Sequence, residues 1–369
     1  MQRKICHITT AHPRFDTRIF KKECVSLAGE GFDVSLVIAD GLGDQTIEDV
    51  KIYDVGNIPG GRLNRFLIKT RLVYNNALSL NADIIHFHDP DFIPYGLKLI
   101  RKGKIVIYDV HEDVPKQTYS KEYIPKVFQP LVAFLMRILE NYSAKRFSQI
   151  ITVTQSINER FILLNPNSEI INNYPYSNEL LSEINWEKKK NEVAFIGGIS
   201  EVRGIKQVIE SMNYADCTLN LAGEFETQKL KESLIANQYW SKVKYHGVVN
   251  RVQLKEMLMN SKIGIVTYLP LPNHIKAQPN KMFEYMSAGI PVVASNFPLW
   301  KEIVEGNNCG ICVNPNDPSE IGRAISYLLE NESIALEMGR NGRKAVIQKY
   351  NWDNERKRLT SIYNKLLEL

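Results

Sequence analysis

Short β-branched runs alternate with amphipathic segments along nearly the whole chain, the pattern of a parallel sheet wrapped in helices. In the first half the apolar runs predict strands at Lys4–Thr9, Val34–Ala39, Asp83–Phe87, Ile105–Asp109 and Gln149–Thr154. A helix spans Arg18 to Glu30 between the first two, with Gly31 as its cap. The second half repeats the scheme, with strands at Glu192–Ile196, Thr218–Ala222, Lys244–His246, Ile263–Val266 and Pro291–Ser295. Helices fill the gaps at Ile205–Met212, Gln228–Asn237, Gln253–Asn260 and Asn280–Ala288, and the tail from Pro318 is helical. Between the halves, Asn172 to Asn191 has no periodicity and is rich in Asn, Pro, Ser and charge. The reading is therefore an α/β chain of two Rossmann-like domains facing each other across a cleft. The first occupies 1–175, a linker 176–191, the second 192–350, and a last helix 351–369 crosses back towards the first. Ligands of such sheets bind beyond the carboxyl ends of the strands, so residues that follow strands are the candidates for chemistry.

Composition narrows the function classes. A length of 369 residues suits two ordinary cores, and 24% charged residues are typical of a globular protein in water. No run is long enough to span a bilayer, and the apolar Ile5–Ile8 is too short for a signal-peptide core, so a cytosolic protein is expected. Five widely spaced cysteines form no disulfide framework; Cys309 and Cys312 sit on an apolar run that reads as a strand. The net charge of +5 is not gathered into a basic stripe with interleaved aromatics, which excludes nucleic acid as a partner. A mild positive excess does suit phosphate-bearing substrates or an anionic membrane surface.

Two segments carry the strongest signals. In the first, Phe195-Ile-Gly197-Gly198 ends a strand, and a loop with Arg203-Gly204 leads into a helix. Such a turn lets backbone N–H groups approach a phosphate, with Arg203 adding a full charge; a plain tight turn with a surface arginine fits equally well. In the second, a helix from Asn280 places Lys281 and Glu284 on one face, ahead of Ala288-Gly289 and an apolar strand. A lysine near a helix N-terminus is electrostatically misplaced unless an anion sits there too. A glutamate one turn on can accept two hydrogen bonds from vicinal hydroxyls. The plainer reading is a surface ion pair.

Asn280-Lys281-x-x-Glu284-Tyr-Met-x-Ala-Gly-x-Pro-Val-Val-Ala-Ser resembles the donor-site signature of the retaining glycosyltransferase family 4 (group 1), whose fold is GT-B. The likeness extends through His7-Ile-Thr-Thr, Phe15-Asp-Thr-Arg-Ile-Phe-Lys-Lys-Glu23, His86-Phe-His88-Asp-Pro, Tyr108-Asp-Val-His111-Glu, Leu221-Ala-Gly223 and Tyr245-His-Gly247. The resemblance implies transfer of a sugar from a UDP- or GDP-linked donor to a glycan or lipid-linked acceptor, in bacterial capsule, O-antigen or exopolysaccharide synthesis. It implies no cofactor and no metal, since the nucleotide-sugar is itself a substrate. Arg203 stands where the family has a lysine on the donor diphosphate. Glu284 matches the glutamate that holds the ribose, and His111 matches a histidine of the N-terminal domain that reaches the transferred sugar. Gly197, Gly198 and Asn280 complete the donor set, with His111, Arg203, Lys281 and Glu284 as the catalytic set.

Two departures stand out. Lys276 occupies the position of the first glutamate in the family's Glu-x7-Glu pattern, and Gly198 replaces an arginine often found after the first glycine. The sequence also offers a metal reading at Asp89-Pro-Asp91 and at Asp109-Val-His111-Glu112-Asp113, but the resemblance assigns those loops to substrate contacts. Asp16, Arg18 and His88 are the acceptor-side candidates, although Asp16 equally suits a helix cap and His7 a core position. His111 is expected to lie across the cleft from Glu284, with Glu112 and Asp113 keeping it partly charged. The apolar stretch Tyr123–Glu140, flanked by Lys121, Lys126, Arg137, Lys145 and Arg146, reads first as a core-facing helix entered at Pro130. Its alternative is an interfacial patch giving peripheral contact with the inner membrane face. Rival functions are a nucleotide-sugar epimerase of similar fold, a metal-dependent hydrolase on the Asp/His/Glu cluster, and a non-catalytic transferase-like subunit.

Overall fold

A computed structural model describes residues 2–61, 64–120, 124–180 and 186–368. The chain divides into two units, Met1–Asn173 with Asn354–Leu369, and Tyr174–Asp353.

The first unit is an eight-stranded sheet. Its strands are β1 (Lys4–Ile8), β2 (Asp33–Ile38), β3 (Gln45–Ile47), β4 (Val50–Asp54), β5 (Ile84–Phe87), β6 (Ile105–Val110), β7 (Gln149–Thr152) and β8 (Ser168–Ile170). They lie in the order β3-β4-β2-β1-β5-β6-β7-β8, parallel except for the β3–β4 hairpin. That hairpin, turned by Glu48 and Asp49 at positive φ, and the short β8 are not signalled by any apolar run. The central strand β5 is buried throughout, as a strand covered on both faces must be, and β1 and β6 are nearly so. Register decides what meets on one face. His7 on β1 lies opposite His86 on β5, and a period of two puts His88 on the same face. On β6, Ile107 pairs with His86, so Asp109 and His111 follow on that face as well.

The helix expected over Arg18–Glu30 opens as a π-helix, Ile19–Cys24, and becomes α-helical over Val25–Gly29. Asp16 Oδ1 accepts from the backbone N–H groups of Arg18 and Ile19 at 2.8 and 2.9 Å, which is the capping role. The final helix, Trp352–Glu368, also packs within this unit from Asn354 on, with Tyr363 fully buried.

The second unit has six strands, all parallel: β9 (Lys190–Ile196), β10 (Thr218–Ala222), β11 (Val243–Gly247), β12 (Ser261–Val266), β13 (Val292–Ser295) and β14 (Gly310–Val313), ordered β11-β10-β9-β12-β13-β14. Of the expected linker 176–191, residues 181–185 lie outside the described set, and Lys190 already pairs with Ser261 of β12. Helix Asn280–Ala288 packs on β9 and β12 through Tyr285. The Tyr285 hydroxyl accepts from Ile196 N at 3.1 Å and donates to Ile265 O at 3.2 Å. Its ring fills the space over Gly264, where a Cβ would sit 2.1 Å from it. This buried contact fixes how the helix meets the strand ends.

Each unit is thus α/β with a mostly or wholly parallel sheet, the class the apolar pattern predicts. Among the described residues no helix is long and apolar enough to cross a membrane. The helix over the 123–140 stretch, Gln129–Ala144, corrects one expectation: it turns its apolar side outward, away from the core. Lys121 and Tyr123 of that stretch lie outside the described residues.

Candidate functional site

In the second unit the ends of β9, β10 and β12 converge on a pair of cations. Gly197 leaves β9 with φ +92°, and the following loop carries Arg203 back over Gly198. The guanidinium Nη1 donates to Gly198 O at 2.9 Å and takes the space where a Cβ on residue 198 would stand, 2.5 Å away. The absence of a side chain at 198 is therefore what lets Arg203 lie there. Gly204, at φ +74°, closes the loop against Thr267 O, which a Cβ would approach to 2.0 Å.

Lys281, the second residue of helix Asn280–Ala288, is 7% exposed. Its Nζ has no hydrogen-bond partner; it lies 4.6 Å from the ring centre of Phe195 and 5.2 Å from that of Tyr268. A Cβ on Gly197 would be 3.4 Å from this Nζ, so the ammonium looks onto the glycine turn. Burial, with the nearby charge of Arg203 adding to it, pulls Lys281 down to about 7. An unpaired ammonium inside a protein is costly, and the aromatic faces offset only part of that cost. The Thr267 hydroxyl, buried beside the same loop, is likewise without a partner.

Glu284 lies one turn further along and is tied to a residue the sequence reading missed. Arg251 Nη1 donates to Glu284 Oε1 at 2.6 Å, and Arg251 also pairs with Glu179 at 2.5 Å. Arg251 is the first residue of helix Arg251–Asn260, begun by an Asn250/Gln253 capping box. The clue was available, because it follows the quoted Tyr245-His-Gly247 by a few residues. Asn280 and Lys276 are both exposed, the latter just past the short helix Pro272–Ile275.

In the first unit the strand-end histidines form a buried polar chain. His88 Nδ1 lies 3.1 Å from Asp109 Oδ2, and His88 Nε2 3.0 Å from His7 Nδ1. The Tyr363 hydroxyl is 3.2 Å from His7 Nε2 and 2.6 Å from His86 Nδ1. Asp109 can only accept, so the protons fall in one direction: His86 to Tyr363, Tyr363 to His7, His7 to His88, His88 to Asp109. Arg18 donates two bonds to Asp109, at 2.8 and 2.9 Å, and a third to Ile171 O at 2.8 Å. Although burial pushes Asp109 upward, Arg18, His111 and His88 hold it well below the usual carboxylate range. Arg18 and His88, read from sequence as acceptor-side residues, are thus buried and spend their polar atoms on this network.

His111 is its outward end. Nε2 donates to Asp109 Oδ2 at 2.8 Å, with the side chain 18% exposed, leaving Nδ1 as the nitrogen a ligand can meet. The carboxylate that holds it is Asp109, not Glu112 or Asp113; Asp113 instead caps helix Val114–Gln117 and pairs with Lys116. Beside it stands His12, ring centres 5.0 Å apart, which the sequence reading did not single out. Burial opposes its charge, but its bond to Asp89 at 3.1 Å raises it above the usual value. The place of His12 just beyond β1 is the signal that could have found it.

The acidic pair of the metal reading is occupied by protein. Asp89 accepts from Thr9 Oγ1 and Thr10 N at 2.8 and 2.7 Å, and Asp91 pairs with Thr10 and Arg65 at 2.7 and 2.8 Å. Donor atoms close enough to share an ion occur instead at His7/Glu23/His86/His88 and at His88/Asp109/His111. In both sets most of the nitrogens are already engaged in the chain just described.

Three fully buried imidazoles set a pH dependence. Burial lowers His7 and His86 well below the ordinary value, and His88 to about 4. The unfolded chain binds protons on these groups from about pH 6.5 downward while the fold resists them. Their contribution is thus complete above pH 6.5 and is lost as pH falls towards 4. His88 alone accounts for about 3 kcal/mol of that loss. Glu23, Asp91, Glu140 and Glu355, raised by burial, run the other way, whereas Asp89 and Asp109, held below the usual carboxylate range, add to the loss at the acid end. Thermal unfolding followed from pH 8 to 4 should be flat at first, then drop steeply below pH 6.5; a flat profile down to pH 4.5 would contradict the neutral assignment.

Comparison with known proteins identifies the family. The family model for glycosyltransferase family 4 matches residues 20–173, and that for glycosyl transferases group 1 matches 177–345, one on each unit. An uncharacterized glycosyltransferase of Methanocaldococcus jannaschii is 27% identical over 252 residues, 63% of this chain and 63% of that one, so less than two thirds of its length is matched. The capsular polysaccharide biosynthesis glycosyltransferase CapM of Staphylococcus aureus is 23% identical, over 66% of this chain and 67% of that one. Among solved structures, Anabaena HepE in complex with UDP-glucose superposes with a TM-score of 0.76 at 14% identity, covering 98% of this chain and 99% of that one, a likeness of fold. With both family models matched in order along nearly all of its length, the chain belongs to the group 1, family 4 glycosyltransferases of GT-B fold.

Proposed function

We propose that this protein is a retaining glycosyltransferase that moves a sugar from a nucleotide-sugar to a glycan or lipid-linked acceptor in the synthesis of a bacterial surface polysaccharide. The observation that carries the reading is Lys281: an ammonium buried without a partner beside Arg203 and a glycine turn, a site built for an anion that arrives from outside. In this account Arg203, Lys281 and the amides after Gly197 receive the donor diphosphate, and Asn280 borders it. Breaking the bond between sugar and phosphate builds negative charge on the departing diphosphate, which the two cations stabilise more than they stabilise the intact donor. Glu284, its orientation held by Arg251, accepts the ribose hydroxyls. His111 serves the transferred sugar through Nδ1. The protein works at the cytoplasmic membrane as a peripheral enzyme and uses no cofactor. Similarity to CapM and to the UDP-glucose complex of HepE supports this reading of pathway and donor.

Two cations next to the leaving group do the work a divalent metal does in other sugar transferases. Release of nucleoside diphosphate from the donor should therefore run at the same rate in buffer free of added divalent ions as with added magnesium or manganese. The anomeric configuration of the product, followed by proton NMR, should match that of the donor. A requirement for either ion, or an inverted product, would overturn the mechanism.

A further inference from the structure

Helix Gln129–Ala144 is built inside out. The side chains it buries are Gln129, Ala133, Glu140, Ser143 and Ala144, and Glu140 is satisfied there by Tyr108 at 3.0 Å and Arg160 at 2.7 Å. The large apolar side chains it exposes are Leu131, Phe134, Leu135, Ile138 and Tyr142, each about half open to solvent. At 100° per residue these five fall within an arc of about 100°, opposite the buried polar positions. Val127 (78% exposed) and Phe128 extend the stripe before the helix begins. A water-facing surface rarely carries so many large apolar groups in one strip, and one that does marks an interaction site.

Charge says what covers it. Lys126, Arg137, Lys145 and Arg146 are exposed around the stripe, and Glu140, the single acid between residues 124 and 146, is buried beneath it. The charged side chains that residues 124–146 expose are therefore all basic. Apart from the Tyr142 hydroxyl at one end, the stripe carries no side-chain hydrogen-bonding group that would set the register of a protein partner. Apolar side chains with long cationic ones at their margin match the boundary between acyl chains and anionic headgroups. We propose that this face docks the enzyme on an anionic lipid bilayer, Leu131, Phe134, Leu135 and Ile138 entering the acyl region while the basic rim engages headgroup phosphates. The inference deepens the reading of the acceptor as lipid-linked and rests on it for its purpose, but the docking itself needs no substrate.

The test is co-sedimentation of the full chain, without nucleotide, with vesicles of mixed phosphatidylglycerol and phosphatidylcholine and with vesicles of phosphatidylcholine alone. Wild-type protein should pellet with the anionic vesicles and far less with the neutral ones. The combined variant Leu131→Ser, Phe134→Ser, Leu135→Ser and Ile138→Ser should lose more than about 100-fold in partitioning. Arg137→Glu with Lys145→Glu should lose about fivefold or more per residue. All six positions are exposed, so melting temperature and nucleoside diphosphate binding should stay near wild type; intact donor binding with failed vesicle binding would sink the docking surface alone. The proposal is overturned if wild-type protein ignores anionic vesicles, or if the serine variant still binds them. It is equally overturned if light scattering shows a wild-type dimer that the serine variant makes monomeric while neither binds lipid, which would make the face an interface between copies.

Discussion

Replacing Lys281 by methionine should abolish sugar transfer while leaving the unliganded protein as stable as before, or more so. The side chain is buried, and the methionine keeps its volume while removing a charge that has no hydrogen-bond partner within the protein. The loss appears when the diphosphate arrives. Truncating one side of a buried charged contact costs about 3 kcal/mol or more, so affinity for nucleoside diphosphate should fall over 100-fold, with nucleoside affinity little changed. Protonation gives a second signature. With Lys281 at about 7, most molecules at pH 8 carry it neutral, and an incoming diphosphate restores the proton. Calorimetry of nucleotide-sugar binding in buffers of different ionisation heat should show uptake of close to one proton at pH 8, little at pH 6, and none at either pH in the variant. Equal losses of nucleoside and nucleoside diphosphate affinity would refute the phosphate role.

His111→Ala should lower turnover by about 100-fold or more while nucleoside diphosphate binds as in the wild type. His111 is the outward end of a chain whose other members are fixed: Asp109 takes its Nε2 proton, and Arg18, His88, His7 and Tyr363 hold Asp109 and one another in place. Removing the imidazole still leaves Asp109 paired with Arg18 and His88, so the melting temperature should change little. A variant that is merely unstable, with normal turnover per folded molecule, would remove His111 from the site.

The sequence and the structure part company at instructive places. Parallel strands were legible because each is an apolar run flanked by turns, and the Asn280 helix because it ends at an αL glycine, Gly289. The hairpin β3–β4 and β8 were not: β3 and β8 are three-residue edge strands, and β4 alternates buried Val50 and Ile52 with more exposed positions instead of forming an apolar run. The candidate donor residues could be named only through the family resemblance, because a glycine turn followed by an arginine fits a plain strand–helix turn equally well. Their state could not be: that Lys281 is buried and unpaired depends on Phe195, from the distant strand β9, and on Tyr268, in the loop after β12. The same holds for His7, His86, His88 and Asp109. Each is visible as a polar residue in or beside a strand, but only the register of β1, β5 and β6 brings them together. Tyr363 comes from the last helix, far along the chain, and no local pattern announces it. The helix over 129–144 misled in the opposite sense, because an apolar stripe predicts burial only when something is there to bury it against.

The proposed role of the second unit is to grip a nucleotide-linked diphosphate. The most direct measurement is thermal unfolding of the full chain across a panel of nucleosides, nucleoside monophosphates, nucleoside diphosphates and nucleotide-sugars, each at saturating concentration. Diphosphates of one base, and a sugar derivative of the same base, should raise the melting temperature by several degrees. The nucleoside and monophosphate should do far less, and Lys281→Met should erase the difference. A protein stabilised equally by nucleoside and diphosphate, or by no nucleotide at all, would contradict it.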